Sequence, residues 1–125
     1  MIFMQYKNIQ QLASENGNFR KVLFTNKYSQ VVLMSILPGE DIGREVHEGV
    51  DQVLVFVKGA GQAVVGGETH DIAAGDMFAV PAGTEHNFTN TSEEALKLFT
   101  VYSPAEHPDR VVHATKADAL AHPDE

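Results

Sequence analysis

Short apolar segments separated by turn residues constrain the fold of this 125-residue chain more than any other feature. About nine such segments recur at roughly ten-residue spacing, which is typical of an all-β sandwich or barrel. Residues 19–25 and 30–37 are rich in β-branched and long apolar side chains, and Pro38-Gly39 ends the second segment. The other predicted strands cover residues 42–47, 52–58, 62–65, 69–73, 77–80, 85–90 and 95–102.

Helical periodicity is confined to the two ends of the chain. Residues 10–16 fit a short helical segment. Thr115 precedes Asp118 by the spacing of a capping box, so we predict a short helix that ends at Ala121. The sequence has no internal linker, which indicates a single domain over residues 1–125. Its predicted parts are an N-terminal arm (1–29), a barrel (about 30–102) and a C-terminal tail (103–125).

The composition argues against several classes of function. The chain has no cysteine, which excludes disulfides, thiolate zinc sites and cysteine nucleophiles, and makes the cytoplasm the expected compartment. The net charge is −8 and the basic residues are scattered, so we expect no nucleic-acid partner. No apolar run approaches the ~20 residues of a membrane span, and the first residues lack a signal-peptide pattern, so we expect no membrane association.

One predicted strand, with the sequence VLVFV, is apolar on both faces. Alternation places Leu54 and Phe56 on one face and Val53, Val55 and Val57 on the other. A strand that is buried on both faces needs a covering layer on each side. We therefore predict a homodimer in which a second subunit covers the outer face; the alternative is that the chain's own N-terminal segment covers it.

Glu45 and His47 lie two residues apart in a predicted strand, so both side chains project to the same face. After a turn at residues 48–51, Gln52 opens the next strand and is able to lie beside them. A carboxylate, an imidazole and an amide oxygen together suit a hard or borderline divalent metal ion. The sequence thus indicates a metal site at this hairpin.

The stretch GDMFAVPAGTEHNFTN carries a second signal. Its Pro81-Ala82-Gly83 sequence predicts a tight turn between two strands. His86 follows this turn, with Asn90 on the same face of the predicted strand.

In this stretch the chain resembles the cupin family. The second cupin motif, G-x-x-x-x-x-P-x-G-x-x-H-x-x-x-N, is matched at every position by Gly75, Pro81, Gly83, His86 and Asn90.

The first cupin motif is matched in its spacing but not in all of its ligand types. Gly39, His47 and Gly59 fit the motif. Glu45 stands where the first histidine is usual, and Gln52 stands where the glutamate is usual. The resemblance covers residues 30–102, most of the chain.

The resemblance implies a jelly-roll barrel of the double-stranded β-helix type, formed by two packed sheets, with short peripheral helices. It also implies one divalent metal ion per chain, held by Glu45, His47, Gln52 and His86. The oxygen-rich ligand set favours Mn(II), with Fe(II) or Ni(II) as alternatives. About two coordination positions would remain for water or substrate.

Two main functions are compatible with such a site. The first is a metalloenzyme of the dioxygenase, decarboxylase or isomerase type that acts on a small oxygenated molecule, with Glu45 as a possible base. The second is a noncatalytic module that binds or senses a small ligand through the metal; a metal-free barrel used for assembly is a third interpretation. The fold alone does not select among them.

The remaining histidines lie outside the two motifs. His70 belongs to a polar hairpin and is expected to face solvent. His107 lies in a proline-bounded loop that we expect at the surface, in preference to a lid over the barrel mouth. His113 and His122 lie in the tail, and no role is assigned to them.

Overall fold

Turn residues divide the chain into nine strands and two helices in the computed structural model, which describes residues 3–125. In chain order these elements are α1 (Ile9–Glu15), β1 (Arg20–Thr25), β2 (Gln30–Ile36), β3 (Asp51–Lys58), β4 (Ala60–Val65), β5 (Glu68–Ala73), β6 (Met77–Val80), β7 (His86–Thr89), β8 (Leu96–Ser103), β9 (Val112–His113) and α2 (Lys116–Ala121).

The strands form two antiparallel sheets. The larger sheet has the order β6-β3-β8-β2-β1-β9, and the smaller has the order β5-β4-β7. Inward-facing side chains from both sheets meet in one apolar core, which includes Leu54, Phe56 and Leu98 from the larger sheet and Ala63 and Phe88 from the smaller. The all-β barrel of two packed sheets that the sequence predicts is confirmed.

Asn90, the last residue of the matched motif, holds two segments of the barrel together. Its buried side-chain amide donates to the backbone oxygens of Ile36 and Glu94, both at 2.8 Å. Its Oδ1 accepts from the backbone N–H and the hydroxyl of Ser92, both at 2.9 Å. Asn90 therefore stabilises the fold and is not part of the candidate site.

The prediction of a strand over residues 42–47 is wrong. Within that segment only Glu45 forms a bridge, to His86, and a second single bridge joins Asp41, just before the segment, to Thr89. Between the bridges, Gly43 has a φ of +112°, a conformation outside the extended region of a strand. The sequence analysis also missed β9, because two residues are too few to show a strand pattern.

Both terminal helices are confirmed. In α1, the Asn8 side chain caps the helix by accepting from the backbone N–H of Gln11 at 3.1 Å. In α2, the Thr115 hydroxyl accepts from the N–H of Asp118 at 3.1 Å, and the Asp118 carboxylate accepts from the N–H of Thr115 at 3.2 Å. This reciprocal pair is the predicted capping box. Within residues 3–125, neither helix has the length and apolar character to cross a membrane.

The outer face of the larger sheet is covered in part by α1. The helix packs against β2, β3 and β8, and its Ala13 is fully buried. The outward-facing valines of β3 are half-buried: Val53, Val55 and Val57. The N-terminal segment thus supplies part of the second layer, and a second subunit over the remainder stays a prediction.

Candidate metal centre

A backbone bridge, and not a regular hairpin, brings Glu45 beside His86. The Glu45 N–H donates to the His86 oxygen at 2.9 Å, and the His86 N–H donates to the Glu45 oxygen at 3.0 Å. Residues paired in this way across antiparallel backbones place their side chains next to each other. The two side chains therefore meet although residues 42–47 form no strand.

The Pro81–Gly83 turn holds His47 in place. The Gly83 N–H donates to the His47 oxygen at 2.9 Å, and the Thr84 N–H closes the turn by donating to Pro81 at 3.2 Å. Gly83 has a φ of +82°, which a residue with a Cβ atom adopts only with strain. The glycine of the second motif thus positions a histidine of the first motif.

The buried ring of His86 has one nitrogen engaged and one available. Its Nδ1 lies 2.8 Å from the backbone oxygen of Thr84, which only accepts hydrogen bonds, so Nδ1 donates. The lone pair then resides on Nε2, as in metal-binding histidines whose other nitrogen is held by a carbonyl.

His47 lies between two carboxylates. Its Nε2 is 2.6 Å from Oε2 of Glu45, at an angle outside hydrogen-bond geometry, and its Nδ1 is 3.2 Å from Oε1 of Glu106. The contact with Glu45 raises the pKa of His47 above its ordinary value, and this effect exceeds the opposing effect of burial. Burial opposes ionisation of Glu45, but His47 and the charge of Arg20 hold the pKa of Glu45 below its ordinary value.

Gln52 presents a buried oxygen that has no partner. The side chain is 3% exposed, and its Nε2 donates to the Thr100 hydroxyl at 3.0 Å. Thr100 in turn donates to the backbone oxygen of Val53 at 2.8 Å, which fixes the orientation of the amide. Among the described residues nothing donates to Oε1 of Gln52. An unsatisfied buried acceptor is costly, so this atom fits contact with a cation or a water molecule.

The ligand atoms of Glu45, His47 and His86 all lie within 4.8 Å of one another. We call these three residues the inner cluster. Two imidazoles and one carboxylate are a donor set for Mn(II), Fe(II), Ni(II) or Zn(II), whereas Cu(I) prefers sulfur. The structure thus brings together three of the four predicted ligands, and direct ligation by Gln52 stays a prediction.

A pocket of about 470 Å³ opens onto the inner cluster through Glu45 and His47. Arg20, Glu106 and His107 line its wall. The C-terminal segment contributes further lining residues, among them Lys116, His122 and Glu125. The tail therefore covers the approach to the candidate metal site.

His107 is half-buried in this wall, so its expected place on a surface loop is wrong. Gln30 draws the loop inwards: its Oε1 accepts from the His107 N–H at 3.0 Å, and its Nε2 donates to the His107 oxygen at 2.7 Å. The His107 Nδ1 donates to the backbone oxygen of Glu125 at 2.6 Å. Burial, helped by the positive charge of Arg20, lowers the pKa of His107 to about 4. Gln30 is 77 residues away, so local sequence does not reveal this contact.

The structure also brings together His113, His122 and Glu125, which we call the tail cluster. The His113 Nε2 lies 3.0 Å from Oε1 of Glu125, and the His122 Nδ1 donates to the backbone oxygen of Asp118 at 2.9 Å. The sequence analysis assigned these histidines no role.

Sequence analysis missed Arg20, although one signal was available. In the segment FRKVLFT, alternation puts Arg20 on the same face as Val22, and both are buried. A charged residue on the inward face of a strand is uncommon and therefore marks a candidate functional residue.

The comparisons with known proteins agree with the fold. A model of the cupin domain family matches residues 32–102. The chain belongs to the cupin family.

Two curated relatives are similar over most of the chain. The chain is 43% identical over 120 residues to the uncharacterised protein YrkC of Bacillus subtilis, covering 91% of this chain and 64% of YrkC. It is 39% identical over 105 residues to the uncharacterised protein L612 of Acanthamoeba polyphaga mimivirus, covering 81% of this chain and 66% of L612. The chain thus spans slightly less than two thirds of each relative.

Solved structures show the same architecture. BH2720 from Bacillus halodurans superposes with a TM-score of 0.93 at 38% identity, covering 95% of both chains. TT1209 from Thermus thermophilus has a TM-score of 0.71 at 30% identity, covering 81% of this chain and 98% of its own. KdgF from a Halomonas species has a TM-score of 0.66 at 26% identity, covering 72% and 81%.

Proposed function

We propose that this protein binds one divalent metal ion through Glu45, His47, Gln52 and His86. We propose further that it is a metalloenzyme acting on a small oxygenated organic molecule in the adjoining pocket. The observation that carries this proposal is the convergence of the inner cluster, whose ligand atoms lie within 4.8 Å of one another beside a pocket of about 470 Å³. Pockets of that size suit small molecules.

Mn(II) is the ion we propose, with Fe(II) and Ni(II) as alternatives. The donors are nitrogen and oxygen without sulfur, and one carboxylate leaves part of the ion's charge for a substrate oxygen. When bound, such an ion supplies Lewis-acid polarisation of a substrate carbonyl or hydroxyl group.

Glu45 is the residue we propose as a general base. Its lowered pKa keeps it ionised at neutral pH, and its side chain is 27% exposed at the pocket wall. A carboxylate that turns from the metal site towards the pocket is able to accept a proton from the substrate. Glu106, which contacts Nδ1 of His47, would hold that ring in position. Dioxygenase, decarboxylase and isomerase reactions are all compatible with a divalent metal ion and a carboxylate base in one pocket.

Metal analysis and turnover assays test the proposal together. Protein purified from its native source should contain about one equivalent of metal, measured by elemental analysis. Protein loaded with Mn(II) or Fe(II) would then be assayed with a panel of keto and hydroxy acids, in air and under nitrogen. Product formation supports the enzyme, and oxygen uptake identifies a dioxygenase. Tight ligand binding without product would instead favour the sensing module.

We also propose a homodimer and a cytoplasmic location. The half-buried valines on the outer face of β3 support a second subunit, and the absence of cysteine supports a reducing compartment. Light scattering tests the dimer with Val55→Glu, which places a charge in the proposed interface. The wild type should have twice the mass of the chain and the variant a lower mass. A monomeric wild type would contradict the dimer.

A further inference from the structure

Arg20 is a buried cation that forms no salt bridge with the described residues. Its side chain is 7% exposed, and its Nε has no hydrogen-bond partner among the described residues. Within residues 3–125, no acidic side chain forms an ion pair with it. A buried charge is normally paired, because removal from water without compensation is costly. Glu45 feels the charge of Arg20 through space, but no anion in the described part of the chain lies at ion-pair distance from this guanidinium.

The neighbours of Arg20 orient its guanidinium without neutralising it. Arg20 lies on β1 between Met34 of β2 and His113 of β9, and its guanidinium lies over the Phe19 ring, 5.3 Å from the centroid. Its Nη1 donates to Nδ1 of His113 at 3.3 Å. Because Nδ1 accepts from Arg20, the His113 proton resides on Nε2, which faces Glu125 at 3.0 Å. The ring is thus a neutral acceptor that fixes one edge of the guanidinium.

Arg20 lines the same pocket as Glu45 and His47. A ligand in that pocket is therefore able to contact the guanidinium at one end and the inner cluster at the other. Glu106, Asp124 and Glu125 also line the pocket, so with Glu45 four carboxylates oppose a second negative charge on the ligand. Lys116, the other cation of the wall besides Arg20, is already paired with Asp41. A single guanidinium in this setting suits a monoanionic carboxylate better than a phosphate dianion.

We propose that Arg20 binds the carboxylate group of a small hydroxy or keto acid whose second oxygen reaches the metal site. This inference rests on the proposed function, because it names the substrate class of the same pocket.

Isothermal titration calorimetry of the Mn(II)-loaded protein tests this inference, with lactate and pyruvate as probes. Lactamide serves as the neutral control and inorganic phosphate as the alternative anion. Lactate or pyruvate should bind, and lactamide should bind about 10- to 100-fold more weakly, as expected for loss of a charge-assisted hydrogen bond. Equal affinity for lactate and lactamide, or tighter binding of phosphate, would overturn the inference.

Substitution of Arg20 gives a second test of the inference. Arg20→Met should weaken lactate binding by about 10- to 100-fold while the affinity for Mn(II) changes less than about threefold. Arg110→Met is the matched control, since Arg110 is 93% exposed and lies outside the pocket wall; it should leave both affinities unchanged. Unchanged lactate binding by folded Arg20→Met protein would overturn the inference.

The wild-type protein provides a measurement that does not depend on the folding of a variant. In ¹⁵N NMR spectra, the Arg20 Nε–H signal should move downfield when lactate is added and should not move with lactamide. An Nε–H signal that is unmoved at saturating lactate would overturn the inference. Failure of the wild type to bind any metal would instead contradict the proposed function, while lactate-dependent movement of this signal in metal-free protein would still support the Arg20 site.

Discussion

The inner cluster and the tail cluster contain the same side chains, two histidines and one glutamate, and in each cluster the ligand atoms lie within 4.8 Å of one another. They differ in how the backbone holds them. The inner cluster is fixed by the Glu45–His86 bridge and by the Pro81–Gly83 turn. The tail cluster joins β9 to the residues that follow α2, and two of its three members are exposed.

One histidine in each cluster is held alike, because Nδ1 of His86 and Nδ1 of His122 each donate to a backbone oxygen. The other two histidines differ: Nδ1 of His47 faces the Glu106 carboxylate, so the lone pair is left to Nε2, which faces Glu45. In the tail cluster, both nitrogens of His113 are engaged, one by Arg20 and one by Glu125. The comparison teaches that residue types alone do not make a metal site. A metal site needs hydrogen bonds that leave the ligand lone pairs available, and it needs a rigid backbone. The hydrogen bonds of the tail cluster instead attach the C-terminal segment.

Matched histidine substitutions in the two clusters should have the strongest effect and distinguish the clusters directly. His86→Ala should abolish binding of Mn(II), because it removes a buried ligand on a fixed strand, while the barrel stays folded. His122→Ala, the matched change in the tail cluster, should leave about one equivalent of metal bound. Elemental analysis after dialysis gives the metal content, and circular dichroism checks the fold. Equal metal loss in both variants would contradict the proposal that the metal is bound by the inner cluster and not by the tail cluster.

A second pair of variants ranks the residues of the inner site. His47→Ala should weaken Mn(II) affinity by more than about 100-fold, and Gln52→Ala by about 10-fold, because a neutral amide is the weaker ligand. Competition with a metal-binding dye measures both affinities. Equal losses would show that Gln52 is as important a ligand as His47.

The pH dependence of stability tests whether His107 is buried in the pocket wall. The folded-state pKa of His107 is lowered to about 4, below its ordinary value of 6.5. The unfolded chain therefore binds more protons between these pH values, so this stabilisation is present above pH 6.5 and is lost as the pH falls towards 4. In metal-free protein we expect His107 to account for a loss of about 1–3 kcal/mol in the free energy of unfolding over that range.

Urea titrations of the wild type and of His107→Gln measure this contribution as a difference. The raised pKa of His47 acts in the opposite direction and above pH 6.5, since its stabilisation is lost as the pH rises through its folded-state pKa. A wild type and a His107→Gln variant with parallel pH profiles would contradict the burial of His107.

The smallest expected effect concerns the attachment of α2. Lys116 forms an ion pair with Asp41, whose pKa is lowered by hydrogen bonds from Asn87 and Lys116. Lys116→Met should change the free energy of unfolding by less than about 1 kcal/mol, because the pair is partly exposed. Amide exchange in residues 116–121 should still become severalfold faster. Lys21→Met, an exposed change on β1, is the control and should leave exchange unaltered.

Much of the barrel could be predicted because its determinants are local. Alternating apolar residues located the strands from β1 to β8, and the Thr115–Asp118 spacing located the start of α2. The error at residues 42–47 arose because apolar composition does not reveal that Gly43 leaves the extended region. Glu45, His47 and His86 were still predicted correctly as neighbours, since motif spacing is preserved even where the strand is reduced to one bridge.

The cupin fold, the two helical ends and the residues of the inner cluster could be predicted from the sequence alone, because turn glycines, alternation and motif spacing act over a few residues. The residues that cover the pocket and the charges that line it become apparent only in the folded protein. Arg20, His107 and the tail meet there through contacts such as Gln30 to His107, 77 residues apart in the chain. Such contacts depend on how strands from distant segments pair, and no local pattern encodes that pairing.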